Sequence, residues 1–122
     1  MAPREVAVCG AASLPRGAHI VITVGTRELG VFNIEGEVFA LPNACPHQNG
    51  PLCKGIVTGT LSSDAHSHWQ PRWVSEGNVI VCPWHSREFD IRTGRCLADP
   101  GQRVPVYRGR ISDDQVMLTL PR

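Results

Sequence analysis

Apolar side chains recur at every second position in two stretches of the chain. Ile20, Ile22 and Val24 alternate with His19, Val21 and Thr23, and Val116, Leu118 and Leu120 alternate with Gln115, Met117 and Thr119. This period of two is the signature of strands with one buried face. Turn residues cut the remainder into pieces of similar length. Glu35-Gly36 divides 29–34 from 38–41, Thr93-Gly94 divides 89–91 from 95–97, and 112–114 precedes the last strand. Ten prolines and twelve glycines interrupt every candidate helix. The pattern predicts an all-β chain, a small antiparallel sandwich or partly open barrel.

One segment departs from the alternation. Residues 58–78 are polar and weakly patterned, yet carry His66, His68, Trp69 and Trp73. A surface hairpin whose tryptophans fold back on the sheet is one reading. A docking face for a redox partner is the other, because tryptophan anchors many interfaces.

At 122 residues the chain has the mass of one domain with a modest core, too little for a second catalytic domain. Twelve basic and eleven acidic residues are dispersed along it, so the net charge of +1 gives neither a nucleic-acid footprint nor a polybasic membrane tail. With 42% hydrophobic residues, no apolar run long enough to span a bilayer and no secretory leader, the expectation is a soluble, cytoplasmic protein. Five cysteines, an odd number, argue against a secreted disulfide framework and for thiols kept reduced until metal takes them.

The chemistry concentrates in two short segments, Cys45-Pro46-His47 and Cys82-Pro83-Trp84-His85. Each supplies one thiolate and one imidazole from a loop, a mixed metal-ligand set. With their flanks, CPHQNGPLCKG (45–55) and VCPWHSREFDIRTGRCL (81–97), they resemble the two cluster loops of the Rieske family. In that family two cysteines hold one iron of a [2Fe-2S] cluster and two histidines hold the other. The resemblance implies a single Rieske domain over 1–122, with an antiparallel base sheet and a cluster-binding subdomain inserted at about 42–99. It assigns Cys45 and Cys82 to one iron, and His47 and His85, near solvent, to the other.

Replacing two charged thiolates by neutral imidazoles makes such a cluster less negative and easier to reduce, which places Rieske centres at about −150 to +300 mV. The respiratory branch of the family joins its loops by a disulfide, and at those positions this chain has Gly50 and Trp84. That branch also places a serine and a tyrosine hydroxyl against the cluster sulfurs, where this chain has Arg87 and Phe89. Fewer hydrogen bonds to the sulfurs imply a potential in the lower part of the range, below zero.

The remaining candidates have plainer readings. Cys53 and Cys96 are expected as small buried side chains, and Cys9 reads equally as a partly exposed thiol. His19 reads as a surface or satisfied polar residue. His66 and His68, with one residue between them and no cysteine nearby, make a poor metal pair. Pro46 and Pro83 are expected to fix loop backbone, Trp84 to shield the cluster, and Pro100-Gly101 to match the family's third, proline-bearing loop.

By resemblance the chain is a Rieske ferredoxin, a one-electron carrier from a flavin-dependent reductase to a terminal oxygenase or similar acceptor, monomeric and without a substrate of its own. It has no second site for a mononuclear iron and no dinucleotide-binding glycine turn. A second reading is a Rieske-like small subunit of a larger reductase, such as nitrite reductase. A third is a zinc-stabilised β domain, which the one-residue spacing of Cys45 and His47 fits poorly.

Overall fold

Both alternating stretches form strands: His19–Val24 is β2 and Gln115–Leu120 is β9. A computed structural model describes residues 3–46, 49–84 and 86–121. The other strands are β1 (Arg4–Gly10), β3 (Arg27–Ile34), β4 (Glu37–Pro42), β5 (Ile56–Ser62), β6 (Arg72–Val81), β7 (Glu88–Asp90) and β8 (Tyr107–Ser112). Among the described residues there is no α-helix, and three single 3-10 turns provide the only helical geometry.

Six strands pair antiparallel in the order β1-β9-β8-β4-β3-β2, a curled half-barrel in which β1 and β2 are the two ends of the sheet. Two of its hairpins are set by their turn residues. Glu35 and Gly36, at φ 55° and 95°, connect the paired residues Ile34 and Glu37, and Asp113 and Asp114, at φ 52° and 61°, connect Ser112 and Gln115. Two successive positive φ values give the turn whose twist matches that of antiparallel strands.

β4, a middle strand of this sheet, and its neighbour β3 are buried on both faces. Leu29, Val31, Val38 and Ala40 pack with Leu14, Val116, Leu118 and Leu120 inside the curl. Phe32, Ile34, Phe39 and Leu41 face the other way, against Leu52, Ile80, Phe89 and Ile91. That double burial explains why these strands read as continuous apolar runs. Even β2 serves both layers, since Val21 packs against the second core and Ile20, Ile22 and Val24 against the first.

The second core joins the large sheet to a small one. The chain leaves the large sheet after Pro42 and rejoins it at Tyr107, where β8 pairs with β4, the strand it left. In between, β5, β6 and β7 pair in that order. Residues 58–78, without a clear period in the sequence, are largely the far half of the β5–β6 hairpin. A wide bulge interrupts the pairing: Thr58 opposes Val79 and Thr60 opposes Val74, so Gly59 alone faces 75–78. This bulge scrambles the alternation and hides both strands from periodicity.

The tryptophans of that hairpin do not both fold back. Trp69 is 69% exposed and Trp73 55%. Trp73 leans across Gly59, where a Cβ would come within 2.8 Å of its Nε1, and donates that N–H to Glu76. The stretch 95–97, expected as a strand, contributes isolated bridges instead, Phe89 to Cys96 and Arg95 to Arg103.

Candidate metal centre

Two loops leave the large and small sheets side by side. The first, 43–55, is pinned at its entrance by Asn43, whose N–H donates to the Glu28 carbonyl at 2.9 Å and whose side-chain oxygen accepts from the Cys53 N–H at 2.7 Å. Behind it a 3-10 turn, Leu52–Lys54, buries Leu52 and Cys53 completely. Within the loop the Asn49 N–H donates to the Cys45 carbonyl at 2.7 Å. The Gly50 carbonyl accepts from both Cys45 and Leu52, each at 2.8 Å. Asn49 takes a positive φ of 57°, which asparagine tolerates better than most residues. The result is a compact hook that turns Cys45 inward, where it is 2% exposed.

The second loop is the β6–β7 connection, since Val81 pairs with Glu88 on either side of it. The Cys82 N–H donates to the Arg87 carbonyl at 2.8 Å, and Ser86 turns the chain at φ 55°. Cys82 is fully buried. Its thiol is pushed above the ordinary value mainly by that burial, and also by the adjacent Cys45 thiol, while the Trp84 main-chain N–H directed at its sulfur acts in the opposite sense. The structure thus brings the two motif cysteines together, one from each loop, in a buried place. A metal displaces the protons that burial holds on such thiols.

His47 and His85 lie outside the described residues. Each follows its cysteine closely in sequence, by two and three positions. Two adjacent thiols, with a main-chain N–H aimed at one sulfur, suit the thiolate half of an iron–sulfur site.

Trp84, half-exposed, reaches from the second loop to the first: a Cβ on Gly50 would fall 2.8 Å from the indole Cγ and Cδ2. The third, proline-bearing loop is tied in by Arg87, whose Nη1 donates to Gln102 Oε1 at 3.2 Å and approaches Cys96 Sγ at 3.9 Å. Phe89 is fully buried in the second core. Arg87 therefore serves the third loop, and Phe89 supplies no hydroxyl.

The other candidates have structural explanations. Cys53 Sγ approaches the carbonyls of Leu41 and Pro42 at 3.6 and 3.5 Å, and burial pushes its thiol up to about 12. Cys96 is buried and Cys9 half-buried on β1. His19 stacks on Phe32, with ring centroids 5.0 Å apart. His66 lies in a 3-10 turn that Asp64 caps, and His68 ends it. Among the described residues no three His, Cys, Asp or Glu side chains gather as a further metal site.

The Gly50–Trp84 contact and the Arg87–Gln102 link were not foreseen from the sequence. Neither has a local signal, because each joins residues brought together only by the fold. The close approach of Gly30 in β3 to Cys53 did have one, a glycine inside a strand.

Comparison with known proteins agrees with this geometry. The sequence matches the Rieske [2Fe-2S] domain over residues 4–108. The ferredoxin component of the naphthalene 1,2-dioxygenase system of Pseudomonas aeruginosa is 31% identical over 108 residues, 88% of this chain and 86% of the relative. The ferredoxin of Sphingomonas yanoikuyae B1 superposes with a TM-score of 0.70 at 29% identity, over 97% of this chain and all of that one. A small subunit assigned to NADH-dependent nitrite reductase in Mycobacterium tuberculosis reaches 0.72 at 19% identity, over 98% and 97%, a likeness of fold.

Proposed function

This chain belongs to the Rieske [2Fe-2S] domain family, and from that premise we propose that Cys45 and Cys82 hold one iron of a single cluster while His47 and His85 hold the other. The chain is an electron carrier of the ferredoxin type. The cluster, when bound, takes up and releases one electron at a time. The residues around it keep its thiolate side dry and hydrogen-bonded. The observation that carries this reading is the meeting of Cys45 and Cys82, buried and adjacent, from the two loops that the motifs mark.

The partners proposed are a flavin-dependent reductase and a terminal oxygenase, a reading supported by the Pseudomonas relative, which is the ferredoxin component of a dioxygenase system. The proposed protein is a cytoplasmic monomer, its domain spanning 1–122 with the cluster subdomain at about 42–99. Among the described residues no helix is long and apolar enough to cross a membrane. A small-subunit role in a larger reductase would show as copurification with that reductase.

The test is the electron paramagnetic resonance spectrum of the dithionite-reduced protein, together with iron and acid-labile sulfide analysis. A rhombic signal with a low average g, and about two irons per chain, is expected. A four-cysteine type of signal would remove His47 and His85, and zinc without sulfide would remove electron transfer altogether. With Arg87 turned to Gln102 and Phe89 in the core, the expected midpoint lies below zero; potentiometry giving a value above about +100 mV contradicts this account of the sulfur environment.

A further inference from the structure

Trp84 bears on both loops of the thiol pair by different parts of itself. Its main-chain N–H points at the Cys82 sulfur. Its indole rests on Gly50, whose carbonyl accepts the Cys45 N–H at 2.8 Å and the Leu52 N–H at 2.8 Å. Gly50 is therefore the hub of the first loop's hydrogen bonds, and the indole closes over that hub from the second loop.

Gly50 does not owe its identity to its backbone. No positive φ is found there, so an alanine could adopt the same conformation. What excludes a side chain is the indole: a Cβ would stand 2.8 Å from Cγ and Cδ2 and 3.0 Å from the Trp84 Cβ. Glycine at 50 is thus required by tryptophan at 84. The short Cβ separation also means that the loops approach about as closely as a disulfide-bonded pair, for which Cβ atoms lie about 3.5–4.5 Å apart. All five cysteines are free, so no covalent bond holds this crossing.

We propose that Trp84 and Gly50 form a non-covalent clasp between the two ligand loops, with Trp84 a positioning residue that governs how firmly the chain retains its metal. This rests on the assignment of Cys45 and Cys82 as ligands. The indole buries the Gly50 face and prevents the first loop from lifting away from Cys82. Because 49% of Trp84 remains exposed, the clasp is reached from solvent and opens without unfolding either core.

The test compares metal release into a strong chelator, followed by the absorbance of the chelator–metal complex, in the loaded protein and four variants. W84A is expected to lose metal faster by about tenfold, the scale of one lost aromatic contact. G50A, which removes no side chain, should do the same by displacing the indole. W84F should lie between W84A and the unmodified protein. The double variant G50C/W84C separates holding from shielding, since it has no indole. Its metal release should be slow when the new pair is oxidised and fast when it is reduced.

Release from G50A at the unmodified rate overturns the clasp, as does a double variant whose release is the same oxidised and reduced. Iron and sulfide content of the unmodified chain reports separately on the cluster itself, and the release comparison remains defined if the bound metal is zinc.

Discussion

Several glycines in this chain are fixed by space, and Gly30 makes the case at the level of single atoms. A Cβ on Gly30 would lie 2.3 Å from Cys53 Cβ and 2.4 Å from its Sγ. Gly30 sits in β3 and Cys53 in the turn behind the first loop, so this contact sets how closely the loop lies on the sheet. G30A should cost about 1–3 kcal/mol, the usual range for overpacking a core. C53A should not rescue it, because the closer clash is with the Cβ, whereas C53G should; thermal unfolding of the loaded protein checks all three. Cys53 also makes stability depend on alkaline pH. Its thiol, 9.0 in the ordinary case, is pushed up to about 12, chiefly by burial. Between those values the unfolded chain has lost the proton and the folded chain keeps it, so stability is whole below 9.0 and falls as pH rises toward 12. Urea unfolding on either side of 9.0 should show a steeper fall in the unmodified protein than in C53A. At this scale the candidate ligands were legible, because a cysteine and a histidine set two or three positions apart form a local signal. Gly50 and Trp84 were legible only as residues, since the fold alone makes them neighbours.

Among the elements, the β5–β6 hairpin was the hardest to read and is the easiest to remove. Its bulge opposes one residue to four and breaks the period by which strands are recognised. β2 and β9 were readable because their alternation is uninterrupted, and the two turns at 35–36 and 113–114 because their residues accept positive φ. No residue of 61–73 belongs to either core. Replacing that stretch by Asn-Gly, to close the hairpin at the Thr60–Val74 pair, should therefore change stability by less than about 1 kcal/mol and leave metal retention unaltered. A larger loss in denaturant unfolding would mean that the far half of the hairpin supports the small sheet. Titrating the reductase with the shortened chain would then decide what Leu61, Trp69 and Trp73, all more than half exposed, are for. Unchanged half-saturation leaves them as scaffold, and a shift makes them a contact.

Across the whole molecule, two cores share β3 and β4 but stand differently to the candidate metal site. The core inside the curl draws nothing from residues 43–106, whereas the other contains Cys45 and Cys82 themselves. Metal-free protein should therefore keep slow amide exchange in β3, β4, β8 and β9 and lose it in 43–55 and 82–87, as read by hydrogen exchange with mass spectrometry. Equal loss in all these segments would show one cooperative unit instead of two. The family resemblance carries the expectation of an insertion at about 42–99, whereas the double burial of β3 and β4 that joins the two cores has no signal of its own in the sequence. The same topology governs how the chain reaches this state. Arg4 pairs with Leu120 and Val38 with Gly109, so β1 and β4 each wait for a partner from the far end of the chain. Such distant pairings are slow to find. During that interval the hairpins β2–β3–β4 and β5–β6–β7, each made of neighbours, can form while the sheet between them stands open, and the edges of β1 and β4 are the places where a newly made chain would first stick to another.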